Sequence, residues 1–248
     1  IAVLEPLGIS DDSLRGLLAK ATDGHEVEVV TYPDRKEDEA SLIERSADAD
    51  IVVVSNIKYP ASVMGKNPNL KYVCVAFTGY DHVDMAYCRE HGIQVSNCAG
   101  YSTVAVADLV FGLTLDVLRN ISTLNAIVRQ GGTKDGLVGP ELEGKRFGVV
   151  GAGAIGSRVM RIAQAFGCEV VCYSRTKKDI PGVEFIELDE LLKTSDVVSL
   201  HIPQTPETTG LIDAEKIALM RPTAVLINCA RGPVVDSEAL AAALNEGR

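Results

Sequence analysis

The chain has 248 residues, enough for one or two domains with substantial cores. A hydrophobic share of 46% beside 23% charged residues is the composition of an ordinary globular protein. The net charge of −10 argues against a nucleic-acid or acidic-membrane surface, and no apolar stretch approaches a membrane span.

The chain opens at Ile1, already in strand pattern and without a methionine, so further residues are expected before it and after its end. "IAVLEP" leads to a predicted helix over 11–22, and "EVEVVTYP" to another over 36–48. "DIVVVSN" and "KYVCVAF" follow, then a helix over 84–91 and the strand "IQVSNC". Near-continuous apolar strands separated by helices predict a parallel sheet covered on both faces. Residues 102–129 hold helical periodicity longer than any neighbour, with Ser102 or Thr103 as N-cap and Gly131-Gly132 as the stop. One helix bridging two domains is expected there, followed by a glycine-rich connecting loop.

A second unit begins at "RFGVVGAGAIGSRV", with a strand over 146–150, a glycine turn, a helix to about Gly167 and a strand over 169–173. "DVVSLHIP", "IDAEKIALM", "TAVLINCA" and "DSEALAAALNEG" continue the alternation. The fold expected is α/β, with two doubly wound parallel-sheet domains. A flavodoxin-like domain takes residues 1–100, and a Rossmann dinucleotide-binding domain takes residues 101–248. Only four strands of the usual six are readable in the second, which is therefore expected to be incomplete at its C-terminal end.

Gly151, Gly153 and Gly156 form G-x-G-x-x-G between strand and helix, within a βαβ unit of the right length. The first glycine permits the tight turn, the second lets backbone approach a pyrophosphate, and the third lets helix pack on strand. Ala154 and Ile155 open the helix whose N-terminus faces the phosphates. An acid that would bind the ribose 2′-hydroxyl of NAD is expected about twenty residues on. Ser174, Arg175 and Thr176 stand there instead, with hydroxyls and a guanidinium suited to a 2′-phosphate, so NADP is favoured over NAD. An arginine there can also stack on adenine or face solvent.

"SLHIPQTPETTG" follows the third strand of this unit. Pro203 and Pro206 stiffen it, and its place at the carboxyl edge of the sheet predicts that it lines the cofactor crevice, Thr208 included. His201 reads as structural or as close to the cofactor. In the first unit "AFTGYDHVD" offers the Thr78-Gly79 backbone as a small anion-binding nest. Asp81 and Asp84 are expected to cap the next helix, and His82 to be exposed at its start. Six cysteines without a CxxC or Cys/His cluster fit buried thiols in a reducing cytoplasm and no metal site. "NCARGPVVD" puts Arg231 at a strand end, where a guanidinium needs an anionic partner or ligand.

Together "FTGYDHVD", "VSNCAGYSTVAVAD", "GKRFGVVGAGAIGSRV", "SLHIPQTPETTGLI" and "LINCARGPVVDSEAL" resemble the D-isomer-specific 2-hydroxyacid dehydrogenases along essentially the whole chain. The resemblance implies a substrate domain in the first part, a nucleotide domain after it, and hydride transfer between nicotinamide and a small 2-oxo acid. It implies that Arg231 binds the substrate's carboxylate and carbonyl oxygen, with the Thr78-Gly79 backbone on the other side of an interdomain cleft. Tyr101 would shape that cleft, and Thr103, Cys229 and Ala230 would touch the cofactor. It also implies a homodimer, in keeping with apolar residues on more than one face of the 102–129 helix. The family's acid/base histidine and its glutamate would lie beyond the last helix, and His25, His82, His91 and His201 do not match that histidine. The rival reading is a non-catalytic dinucleotide-binding sensor or corepressor on the same fold. Within the loops at 55–60 and 77–80, Asn56, Tyr59, Phe77 and Tyr80 are the expected side-chain pocket, which leaves the particular 2-oxo acid open.

Overall fold

The computed structural model describes residues 1–22 and 25–247, in two compact units, Ile1–Tyr101 and a second that starts at Ser102. The first unit holds five parallel strands: β1 (Ala2–Val3), β2 (Val30–Thr31), β3 (Ile51–Val54), β4 (Tyr72–Val75) and β5 (Gln94–Asn97). Their order, β2-β1-β3-β4-β5, is that of a flavodoxin-like sheet. The crossovers carry α1 (Asp11–Ala21), α2 (Glu39–Ser46), α3 (Ala61–Met64) and α4 (Met85–Glu90). Caps fix where these helices begin. Asp38 accepts from the Ser41 N–H, and Asp84 accepts from the N–H groups of Ala86 and Tyr87, as expected for Asp84. Val52, Val54, Val73 and Val75 are fully buried, and form the core with Leu42, Ile57, Tyr59 and Met64.

The second unit is built on β6 (Arg146–Val150), β7 (Glu169–Tyr173), β8 (Val183–Phe185), β9 (Val197–Leu200) and β10 (Val225–Asn228). They pair in parallel in the order β10-β9-β6-β7-β8. Counted from β6, this is the 3-2-1-4-5 order of a Rossmann sheet. The four strands readable in sequence are thus five. The addition, β8, is three residues long and follows Pro181-Gly182, too short to show a period. Helices α7 (Ala154–Ala165), α8 (Leu188–Thr194), α9 (Ala214–Leu219) and α10 (Ser237–Asn245) complete the alternation.

The helix expected over 102–129 is two helices, α5 (Thr103–Arg119) and α6 (Ile121–Arg129), and α5 lies in the second unit. Asn120 breaks it, in the left-handed region at φ 52°, a conformation asparagine tolerates better than most residues. Asp116 then caps the new helix. Its carboxylate accepts from the Ser122 N–H at 2.7 Å and the Ser122 hydroxyl at 2.8 Å. On α5, Ala107, Val110, Phe111, Thr114 and Leu118 are buried, and Phe111 stacks between Phe147 and Phe166. Val104, Leu109, Leu113 and Val117 are exposed, so the second apolar face is real.

Candidate functional site

The glycine turn follows β6 directly. Gly151 takes φ +107°, a backbone setting that disfavours side chains, and its N–H donates to the Tyr173 carbonyl at 2.8 Å. A Cβ on Gly151 would lie 2.6 Å from the His201 carbonyl oxygen, and one on Gly156 would collide with the Gly151 carbonyl. Those two glycines are required by the protein's own packing. Gly153 differs. Its φ of −68° suits any residue, and nothing lies within 4 Å of where its Cβ would stand. The bare face of Gly153 therefore opens outward at the start of α7, where Ala154, Ile155 and Gly156 hold the first-turn N–H groups that a helix leaves without internal acceptors. Backbone donors, the helix dipole and an uncrowded Cα together fit a pyrophosphate.

Two loops flank this turn at the carboxyl edge of the sheet. After β7, Ser174 is half-buried, while Arg175 and Thr176 are exposed. Glu207 belongs to the same neighbourhood: the Thr205 hydroxyl, and further off the charge of Arg175, hold its carboxyl below the ordinary value. After β9, the His201 N–H donates to the Val150 carbonyl at 2.7 Å, which ties this loop to the strand that feeds the glycine turn. Burial pushes the His201 imidazole down to about 4, so it is neutral at ordinary pH, with Nε2 2.8 Å from the Ser199 hydroxyl. Its Nδ1 is buried without a hydrogen-bond partner. Thr208 folds the loop on itself, donating to the Pro203 carbonyl at 2.7 Å and accepting from the Thr205 N–H at 2.8 Å.

At the end of β10, Asn228 closes the turn that carries Arg231. Its Nδ2 donates to the Arg231 carbonyl at 2.9 Å, and its Oδ1 accepts from the Ala230 N–H at 3.1 Å. Arg231, Cys229 and Ala230 are half-buried, and burial raises the Cys229 thiol above its ordinary value. A single 3₁₀ turn, Gly232–Val234, follows, and Asp236 caps α10 by accepting from Glu238 and Ala239.

In the first unit, Thr78 and Gly79 sit half-buried just after β4, and the Thr78 carbonyl accepts from Asn97 Nδ2 at 2.6 Å. Tyr101 is 60% exposed, its ring 6.2 Å from Phe77. Thr103 is half-buried in the first turn of α5. Three expectations need correction. Tyr59 is a core residue with no exposure, its hydroxyl pushed up to about 12 by burial, and so cannot line a pocket. His82 is half-buried rather than exposed, because its carbonyl accepts from the Tyr59 N–H at 2.8 Å and draws the loop inward. Cys98 is exposed, whereas Cys88 and Cys172 are buried as expected. Sequence reasoning also passed over Glu5, a carboxylate only 2% exposed that accepts from the N–H groups of Ser55, Asn56 and Ile57. Its one signal is an acid ending an apolar strand, in "IAVLEP".

A Rossmann sheet with this turn leaving its first strand, preceded by a flavodoxin-like sheet, is the architecture of a two-domain dinucleotide-binding protein. The family model for the D-isomer specific 2-hydroxyacid dehydrogenase NAD binding domain matches residues 111–248. A glyoxylate reductase of Thermofilum pendens is 41% identical over 213 residues, which are 82% of this chain and 62% of that protein. Among solved structures, an acyclic imino acid reductase in complex with NADPH and D-arginine superposes with a TM-score of 0.88 at 30% identity. That match covers 98% of this chain and 78% of the other. A D-lactate dehydrogenase of Aquifex aeolicus, complexed with NAD and lactic acid, gives 0.85 at 33% identity, over 99% and 74% of the two chains. The chain belongs to the D-isomer specific 2-hydroxyacid dehydrogenase family. It spans less than two thirds of the first curated relatives it matches, 62% of one and 65% of another. No helix among the described residues is long and apolar enough to cross a membrane.

Proposed function

We propose that the protein is a cytoplasmic oxidoreductase that interconverts a small 2-oxo acid and its D-2-hydroxy acid. Residues 1–100 serve as the substrate domain and residues 101–248 as the cofactor domain. One observation carries the reading: the outward-facing cradle at Gly153 and the turn bearing Arg231 lie at the same carboxyl edge of one sheet, on strands two places apart. Two strand spacings are about 10 Å, within the span of a dinucleotide whose pyrophosphate rests on the turn. The bound nicotinamide would supply the hydride. A 2-oxo acid is a planar anion, so the Arg231 fork suits its carboxylate and carbonyl oxygens, and positive charge there favours the oxygen that gains charge as the ketone is reduced. The backbone of Thr78 and Gly79 would add donors to the carboxylate, and Tyr101 would shape the substrate pocket. Gly151, Gly153, Ala154, Ile155 and Gly156 would hold the pyrophosphate. Thr103, His201, Pro203, Thr208, Cys229 and Ala230 would line the rest of the cofactor site.

NADPH is the cofactor this reading favours, with Ser174, Arg175 and Thr176 around the 2′-phosphate. The protein would act as a homodimer.

Steady-state kinetics of the full chain test both parts. Arg231→Lys keeps the charge and loses the fork, and should lower kcat/KM for 2-oxo acids by at least about tenfold while leaving cofactor affinity in place. Arg175→Asp should move preference from NADPH to NADH. Unaltered turnover in the first variant removes Arg231 from the reaction, and a wild type that strongly prefers NADH removes Arg175 from cofactor choice.

A further inference from the structure

Glu5 lies two residues after β1 and is buried inside the first unit, where an unpaired carboxylate would be costly. Its Oε1 accepts from three consecutive backbone N–H groups, Ser55 at 2.7 Å, Asn56 at 2.9 Å and Ile57 at 3.0 Å. The other oxygen takes Arg35 Nη1 at 2.8 Å. The same Nη1 donates to the Asn56 side-chain oxygen, and Arg35 Nε is held by Glu37 at 2.6 Å. The backbone of residues 55–57 is therefore moulded around one buried anion, and the guanidinium paired with it grips the exposed side chain at the tip.

The chemistry of that grip fixes which way the amide faces. A guanidinium only donates, so Asn56 must turn its oxygen toward Arg35 and its NH2 group away. The place matters as well. Glu5, Arg35, Asn56 and Thr78 follow β1, β2, β3 and β4, so all four stand at the carboxyl edge of one parallel sheet, where such sheets take ligands. β3 and β4 are neighbours, and their loops are joined: the Tyr59 N–H donates to the His82 carbonyl, and Tyr59 bridges to Val83.

We propose that the Glu5–Arg35 pair is a positioning device that presets the Asn56 amide as a hydrogen-bond donor beside the Thr78-Gly79 loop, making Asn56 a specificity-determining residue for 2-oxo acids with an oxygen on the carbon next to the ketone. The inference rests on the function proposed above. With the substrate carboxylate on Thr78-Gly79, the substituent at the third carbon is the part left to meet the adjacent loop. A hydroxyl there satisfies the preset donor, whereas a methyl of the same size leaves it without an acceptor.

Hydroxypyruvate and 2-oxobutyrate are nearly isosteric and differ in this one group. The full-length enzyme should favour hydroxypyruvate in kcat/KM by about tenfold, the scale of one neutral hydrogen bond. Asn56→Ala should bring the ratio near one, mainly through a higher KM for hydroxypyruvate, with NADPH affinity unchanged. Asn56→Asp keeps the acceptor for Arg35 and removes the donor, so the ratio should fall there too. Arg35→Ala frees the amide to rotate and should lower the ratio part of the way, a shift that a merely structural role would not produce. An active wild type that treats the two acids alike, or an Asn56→Ala ratio equal to wild type, overturns the assignment of Asn56 and leaves the oxidoreductase reading standing. A full chain that reduces no 2-oxo acid overturns both.

Discussion

Glycine at 151 and glycine at 153 are the same residue held in place by opposite forces. Gly151 is needed by the fold, because of its positive φ and the His201 carbonyl 2.6 Å from a would-be Cβ. Gly153 has nothing within 4 Å of its would-be Cβ, an opening that suits the close approach of a ligand. Gly151→Ala should therefore lower Tm and weaken the dinucleotide together, since left-handed strain and a backbone clash each cost on the order of 1–3 kcal/mol. Gly153→Ala should leave Tm near wild type and weaken dinucleotide binding by at least about tenfold, which calorimetry with thermal denaturation can separate. A Gly153→Ala protein that binds normally would mean the phosphates do not approach that Cα. The spacing of the three glycines and the part each plays were legible in sequence, but the His201 carbonyl that crowds Gly151 was not, because it lies fifty residues away. Glu5 was hidden for the same reason. Its N–H partners are fifty to fifty-two positions along, and nothing local to "LEPLG" announces them.

Among the elements, strand and helix alternation was readable because parallel strands buried on both faces carry unbroken apolar runs, as "RFGVV" and "DVVSL" do. The break at Asn120 was not, since the apolar residues on either side keep a helical spacing and one residue suffices to turn the chain. Asp116 is what makes the break a defined joint. Asp116→Ala removes the acceptor of both the Ser122 N–H and its hydroxyl and should cost about 1 kcal/mol, the usual worth of an N-cap. Asn120→Val should cost at least as much, because a β-branched residue resists the left-handed region. Asn120→Gly should be close to neutral. Urea denaturation of the three variants checks this order, and a stable Asn120→Val would show that α5 and α6 can fuse into one helix.

For the whole molecule, the surplus apolar surface on α5 and α6 is the feature that a single chain leaves unexplained. Leu109, Leu113 and Val117 follow one another at helical spacing on the exposed side, and Ile121 and Val128 extend the exposure along α6. Burying such a face on a second copy would recover about 25 cal/mol for each Å² removed from water. A homodimer is the expected state, and the double variant Leu113→Lys, Val117→Lys should run as a monomer in sedimentation while keeping its far-ultraviolet circular dichroism. Wild type that sediments as a monomer at micromolar concentration would assign the face another use. The second apolar stripe is legible in the sequence, whereas which face turns outward emerges only once the stacked Phe111 face is seen to be the buried one.

The glycine turn has one further consequence, for the time course of binding. Its first residue is hydrogen-bonded to the end of β7, its carbonyl is backed by Gly156, and the neighbouring loop is bonded to the last residue of β6. A turn braced by backbone on three sides has no alternative shape to wait for. In a rapid-mixing experiment the rate of NADPH capture should rise in proportion to concentration without levelling off, as expected when no slow rearrangement precedes or follows the encounter. A plateau would reveal a gate elsewhere in the chain.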